Sequence, residues 1–269
     1  MKHPFERLPL FDHELSAPSA FTPESLLEAV RVERDLSPEP APEICLLDFD
    51  GDFTDWMVST GQAVRCSSWA CFHTAMETFA VDGERCGLIA RTIGGPYSVL
   101  VSEQLAASGV RVILGLTSAG RVSTALSIPS LVIARSAIRD EGTSYHYLPP
   151  AEGVEGDAVL ARLLGAELSA LGLPVQTGAV WTTDAPYRET REQLDRHAAA
   201  GVLAVEMQAA ALFAFAQARR VFCGVVAHVT NAVDHTKEQQ FEKGGQELSR
   251  SMATAMCRAG RRRLAGRLS

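Results

Sequence analysis

No CxxC pair and no cysteine–histidine spacing suited to zinc occurs among the six cysteines (Cys45, Cys66, Cys71, Cys86, Cys223, Cys257), so they read as reduced thiols and no metal is expected. No uncharged apolar run approaches the length of about 18 residues that a membrane span needs. The opening MKHPFERLPLFDHEL has no apolar stretch after its first basic residue, and the cytoplasm is the expected location. Positive charge is short as well: 25 Lys and Arg stand against 32 Asp and Glu, a formal net charge of -7. That balance speaks against nucleic acid or an anionic membrane as partner. Internal repeats are missing too. What remains is a 269-residue chain, 46% hydrophobic and 21% charged, long enough to bury roughly three quarters of its unfolded surface without a staple.

Residues 1–42 mix Pro, Ser and Glu and read as an N-terminal arm, with one helix opened by Thr22 and Pro23 in cap-then-proline order. Residues 43–269 read as one domain. Short β-branched or Leu-rich runs (44–47, 87–90, 110–114, 130–134, 175–181, 201–205, 222–229) fit buried strands, and helical stretches separate them at 97–109, 158–170, 188–200, 207–219 and 238–258. This alternation predicts an α/β fold: a mixed, mostly parallel central sheet flanked by helices, with ligands at the carboxyl ends of the strands. The Arg-rich stretch 258–267 reads as the cationic end of a last helix.

Four segments are polar or glycine-rich where a strand should end. Asp48, Asp50, Asp52 and Asp55 put four carboxylates in eight residues; they fit a solvated loop or an acid/base site equally, since like charges so close raise one another's proton affinity. Gly94-Gly95-Pro96 stands between a strand and a helix, where backbone N–H groups can hold an anion or only form a tight turn. In 181–190, Asp184 reads as an N-cap and Pro186 as an early helical residue, while Trp181, Tyr187 and Arg188 supply the aromatic and forked donors that a flat heterocycle needs. Val205-Glu206-Met207-Gln208 forces a Glu and a Gln into an Ala-rich corner. A buried Glu costs several kcal/mol unless satisfied, by neighbouring backbone or by a sugar diol.

Together these segments resemble the nucleoside phosphorylase family, which includes uridine phosphorylase, hexameric purine nucleoside phosphorylase and the methylthioadenosine/adenosylhomocysteine nucleosidases. The elements that carry the resemblance, over about residues 43 to 256, are Gly51-Asp52, Ile93-Gly94-Gly95-Pro96, the stretch from Ile138 to Tyr147, Thr182-Thr183-Asp184 and above all Val205-Glu206-Met207-Gln208, in the family's order. The resemblance implies cleavage of the bond between ribose C1′ and a base, by phosphate or water attacking the face opposite the base.

By that resemblance Glu206, Met207 and Gln208 hold the ribose, with Gln208 where relatives have a second Glu. An amide offers one acceptor and two donors, which allows a rearranged ribose network, a deoxy sugar or lost activity. Trp181, Thr182, Thr183, Tyr187 and Arg188 are the implied base wall. Thr230-Asn231 stands where purine-cleaving relatives protonate N7; an amide delivers no proton, which favours an oxopurine or a pyrimidine over adenine. Gly51, Gly94, Gly95, Thr117 and Ser118 are the implied nucleophile or phosphate site, and Asp52, Asp55 and Asn231 the implied catalytic residues.

The family's phosphate arginines are altered here: one lines up with Asp55, one with about Leu114, and the neighbour-subunit one near Phe72 or His73. Arg65, Arg91 and Arg121 are close enough in sequence to rebuild an anion site, and Asp50, Asp52 or Asp55 could instead activate water. Two functional readings follow: an N-glycosidic enzyme, phosphorolytic or strictly hydrolytic, and a non-catalytic nucleoside-binding protein. The expected partners are a nucleoside, phosphate as a possible co-substrate, and further copies of the chain (a dimer or trimer of dimers), with no other cofactor. Trp69, Phe72 and Phe79 read as interface or core, and His228 as a satisfied core residue.

Overall fold

A computed structural model describes residues 8–37, 39–232 and 245–266. The first helix, α1 (Pro23–Arg34), packs against α3 (Gly95–Ala107) and is capped by Thr22, whose Oγ1 accepts from the Ser25 N–H. The domain then runs β1 (Ile44–Asp48), α2 (Asp52–Ser59), β2 (Val64–Arg65), β3 (Glu77–Val81), β4 (Glu84–Ala90), α3 (Gly95–Ala107), β5 (Val112–Arg121), β6 (Ser130–Asp140), β7 (Gly153–Glu155), α4 (Ala158–Leu168), β8 (Val175–Thr183), α5 (Arg191–Ala199), β9 (Ala204–Glu206), α6 (Ala209–Arg219), β10 (Phe222–Ala232) and α7 (Gln246–Ala265). Part of the expected helix at 238–258 lies outside the described residues; α7 continues it through the Arg-rich stretch.

Parallel pairings join β4, β1, β5 and β10 on one side and β6, β8 and β9 on the other. Antiparallel pairings of β10 with β6 and of β5 with β9 close β5, β10, β6, β8 and β9 into a ring. The hairpin β3–β4 and the short β2 extend the open edge. Strand alternation divides the core. Cys45 and Leu47 of β1 face the side covered by α3 and α6, whereas Ile44 and Leu46 face α4 and α7, so β1 is buried at every position and reads as a continuous apolar run. All six cysteines are buried free thiols. Trp69 and Phe79 belong to the core, and Phe72 is exposed. Among the described residues no helix is long and apolar enough to cross a membrane, and no group of three His, Cys, Asp or Glu is arranged to hold a metal ion.

The ring fixes the site. It gathers the carboxyl ends of β5, β9 and β10 at one rim, beside that of β1, which pairs with β5, and the register of β10 on β5 slips between Val229 and Asn231. Such a bulge re-aims the residues it contains. Gly115 of β5 makes room for Phe49, which follows β1: a Cβ at 115 would lie 2.8 Å from Phe49 Cε2. Overpacking of this kind costs about 1–3 kcal/mol. Gly115→Ala is therefore expected to lower the unfolding free energy by that amount, read as a lower urea midpoint at unchanged slope, and Phe49→Leu in the same chain to restore part of it; an unshifted midpoint would show that the Phe49–Gly115 contact does not constrain the rim.

Candidate functional site

A cleft of about 810 Å³ opens at that rim. Its floor is made by Phe49 and Asp50 after β1, Thr117 to Gly120 of β5, Val205 to Gln208 at the β9–α6 corner and Asn231 of β10; Ile93, Pro186, Tyr187, Glu189, Arg191 and Leu194 form the mouth. Beside it a small cavity of about 40 Å³ is lined by Asp48, Asp50, Asp52, Thr117, Ser118, His228 and Thr230 among others. Asp50, Thr117 and Ser118 border both.

The corner is organised by one carboxyl. Glu206 ends β9 and is 4% exposed. Its Oε2 accepts the backbone N–H groups of Gln208 at 2.6 Å and Ala209 at 2.8 Å, two orphan donors at the start of α6. Its Oε1 accepts from Thr182 Oγ1, which itself accepts from the Ala210 N–H. Glu206 is thus satisfied within the protein, as a cap for α6 that also ties β8 to β9. Burial pushes its pKa up to about 7, against the lowering effect of those donors. Gln208, 2% exposed, turns its Oε1 to the Met207 N–H at 3.2 Å and Thr117 Oγ1 at 3.4 Å. Met207, half-buried between them, lines the cleft.

The acidic loop is split three ways. Asp48 is buried and accepts the N–H and Oγ1 of Thr54, and burial raises its pKa. Asp50 accepts from Ser118 Oγ at 2.9 Å on the cleft floor. Asp55 instead lies outside the cleft in an exposed ion pair with Arg91, whose guanidinium holds its carboxyl below the usual range. Arg91 covers Gly51: a Cβ built there would lie 2.6 Å from Arg91 Cγ. Gly51 itself has φ +88° at the start of α2, a conformation that glycine adopts readily.

Several expected residues are not at the cleft. Trp181 is fully buried, donates Nε1–H to Asp140 Oδ2 at 3.0 Å and packs on His197, because strand alternation points it away from Thr182. Thr182 and Thr183 are buried; Thr182 serves Glu206, and Thr183 Oγ1 accepts from the Ala185 N–H. Of the expected base wall Tyr187 alone lines the cleft, fully exposed at its mouth; Arg188 is exposed outside it, and Glu189 and Arg191 take its place. Asp184 does not cap α5: it accepts from the Gly142 N–H, and Thr190 caps α5 in a capping box with Gln193. Gly94 and Gly95 do not line the cleft, and a Cβ at 95 would meet Ala211 and Thr143 Oγ1 at 3.1 Å, so that turn serves close packing of α3 against α6. Arg65 pairs with Glu77, Arg91 with Asp55, and Arg121 donates to the Leu126 carbonyl; none lines the cleft. Glu189, which with Tyr187 and Arg188 stands where the resemblance puts a base reader, lines the cleft. The sequence did not single out Phe49, Ile93 or Arg191 for the cleft: the apolar Phe49 and Ile93 carry no chemical signal, and Arg191 flanks the motif at loop spacing.

Fold and cleft define an α/β protein with an open cleft at the carboxyl rim of its sheet. The family is shown by sequence comparison: the model of the phosphorylase superfamily matches residues 67–261, and the chain belongs to that superfamily. The Asp48–Asp55 loop precedes the matched stretch. The chain is similar to a guanosine phosphorylase of Halorubrum lacusprofundi (31% identical over 55% of this chain and 61% of that protein). It is also similar to a uridine phosphorylase of Salmonella typhimurium (22% over 59% and 68%) and to a DeoD-type purine nucleoside phosphorylase of Myxococcus xanthus (28% over 62% and 75%). The alignment thus spans less than two thirds of the first of these relatives.

The Glu206 pKa sets a pH dependence. A carboxyl raised in the folded state from 4.5 to about 7 contributes stability that is fully present below pH 4.5 and lost as pH rises through 7, about 3 kcal/mol in all. Glu206→Gln is expected to remove that component, so stability measured by urea unfolding from pH 4.5 to 8 should fall less steeply in the variant than in the parent; parallel curves would place the ionisation elsewhere.

Proposed function

We propose that this chain cleaves the N-glycosidic bond of a nucleoside in the cleft, with the sugar over Met207, the base toward Asn231 and the Tyr187 mouth, and the nucleophile on the Asp50–Ser118 side. The observation that carries the reading is that one cavity joins the Glu206-Met207-Gln208 corner, Asn231 and Asp50. Membership of the phosphorylase superfamily supports it, and relatives named for guanosine, uridine and purine nucleosides support the substrate class. The side chain of Asn231 donates a hydrogen bond to an acceptor on the leaving base but delivers no proton, which suits a 6-oxopurine or a pyrimidine.

The nucleophile favoured here is water. Phosphate brought to the floor would meet Asp50, with Asp48 and Asp52 around the adjoining cavity, a repulsion on the order of a few kcal/mol at the effective dielectric of a partly buried site. The arginine lining the cleft, Arg191, stands at the mouth, and Arg91 is held by Asp55. In this reading water attacks C1′ as the C1′–N bond breaks, the pair of electrons leaves with the base, Asp50 takes the proton from the attacking oxygen, and the base anion takes a proton from solvent.

Incubation of a ribo- and deoxyribonucleoside panel, with and without phosphate, tests both levels. The expected products are free base and free pentose at a rate independent of phosphate, and Asp50→Asn should lower kcat by about 10²–10⁴. Pentose 1-phosphate formed at a phosphate-dependent rate would overturn the hydrolytic choice; binding without turnover of any nucleoside would overturn the enzyme reading in favour of a binding protein.

A further inference from the structure

Far from the cleft, α7 meets the β3–β4 hairpin through Cys257, Arg258 and Arg261. Arg258 pairs with Asp82 in the hairpin turn. One turn on from Cys257, Arg261 donates toward the Glu84 carbonyl at 3.5 Å and the Cys86 Sγ at 3.7 Å. Cys86 of β4 and Cys257 of α7 are fully buried in the same core layer, and their thiols share a hydrogen bond. That bond, with the Arg261 guanidinium behind it, holds the Cys86 thiol below the ordinary thiol range against the effect of burial; the same bond pushes Cys257 up. Cys45, Cys71 and Cys223 all go up, because burial disfavours their thiolates. Cys86 is therefore set apart: a thiol disposed to ionise, with a second sulfur in contact with it. A nucleophilic thiol beside a resolving thiol has this form. Glu84 and Arg85 next to Cys86 are exposed and Arg261 is partly so, which leaves a water-sized oxidant a short way to the pair.

We propose that Cys86 and Cys257 form a redox dithiol, with Cys86 activated by Arg261, that a peroxide converts into an intrachain disulfide between β4 and α7. The Cys86 thiolate attacks one peroxide oxygen, the O–O bond breaks, and the departing hydroxide takes up the proton that Cys86 released, leaving a sulfenic acid and one water. The sulfur of Cys257 then attacks that of Cys86, the S–O bond breaks, and the departing hydroxide takes the Cys257 proton as a second water. Two thiols are oxidised by two electrons and one peroxide is reduced to two waters. The bond pins α7, whose Gln246, Ser249 and Met252 line the small cavity beside Asp50. The inference is independent of the nucleoside reading.

The test treats the folded full chain with hydrogen peroxide, blocks remaining thiols with an alkylating reagent under denaturing conditions, and maps the digest by mass spectrometry without reductant. Peptides holding Cys86 and Cys257 are expected to be joined, and dithiothreitol to separate them, with Cys45, Cys71 and Cys223 alkylated. In Cys257→Ala, dimedone should trap a sulfenic acid on Cys86, whereas Cys86→Ala should give none on Cys257. Arg261→Gln should form the cross-link severalfold more slowly, as the thiolate share falls. A parent whose Cys86 and Cys257 stay reduced at peroxide that fully oxidises free glutathione, or whose disulfide joins other cysteines, would overturn the proposal whatever the stability of the variants. So would a sulfenic acid on Cys257 in place of Cys86, or an Arg261→Gln chain oxidised at the parent rate.

Discussion

The carboxyl of Glu206 is the joint on which the site depends. It is buried where β9 turns into α6, and the same group accepts two N–H groups at the start of α6 and the hydroxyl of Thr182 on β8. Removing one partner from such a network leaves the other buried and unsatisfied. Because the bonds come from two strands and a helix at once, they fix the backbone of Met207 and Gln208, whose side chains are not fixed by helix propensity. A residue that looks like a ligand for sugar is here first a structural cap, and Gln208 next to it lines the cleft.

The second constraint is charge. The loop after β1 places Asp48 against Thr54, Asp50 against Ser118 and Asp55 against Arg91, three different fates for carboxylates that stand within eight residues. The cation nearest the glycine turn is consumed by Asp55, which leaves the cleft floor acidic. An acidic floor holds water and accepts its proton more readily than it holds a phosphate dianion. Family membership and local electrostatics thus act on different parts of the reaction: the first bears on the bond that breaks, the second on what attacks it.

Much of the fold was legible because buried strands write themselves as short apolar runs, as at 44–47 and 222–229, and because Thr22-Pro23 and the Ala-rich 209–216 have few alternatives to helix. The closure of the ring was not, since the β5–β9 pairing rests on two residue pairs far apart in sequence. Glu206, Met207, Gln208, Asn231, Thr117 and Ser118 line one cleft, all of them polar or distinctive residues at strand ends. Trp181 misleads because period-2 alternation turns it into the core, and Asp184 because its carboxylate accepts the backbone N–H of Gly142, in the loop after β6, rather than one at a helix start. Asp55 carries the same letter whether it faces a substrate or an arginine; only the three-dimensional position of Arg91 decides.

The most direct test of the account is a crystal structure of the chain with an intact nucleoside analogue, its C1′–N bond replaced by C–C so that it is not cleaved. The account predicts a pentose lying on Met207 beside Glu206 and Gln208, the base beside Asn231, and Asp50 on the opposite side of C1′. A ligand seated outside this cleft, or a pentose held with Asp50 remote from C1′, would contradict it.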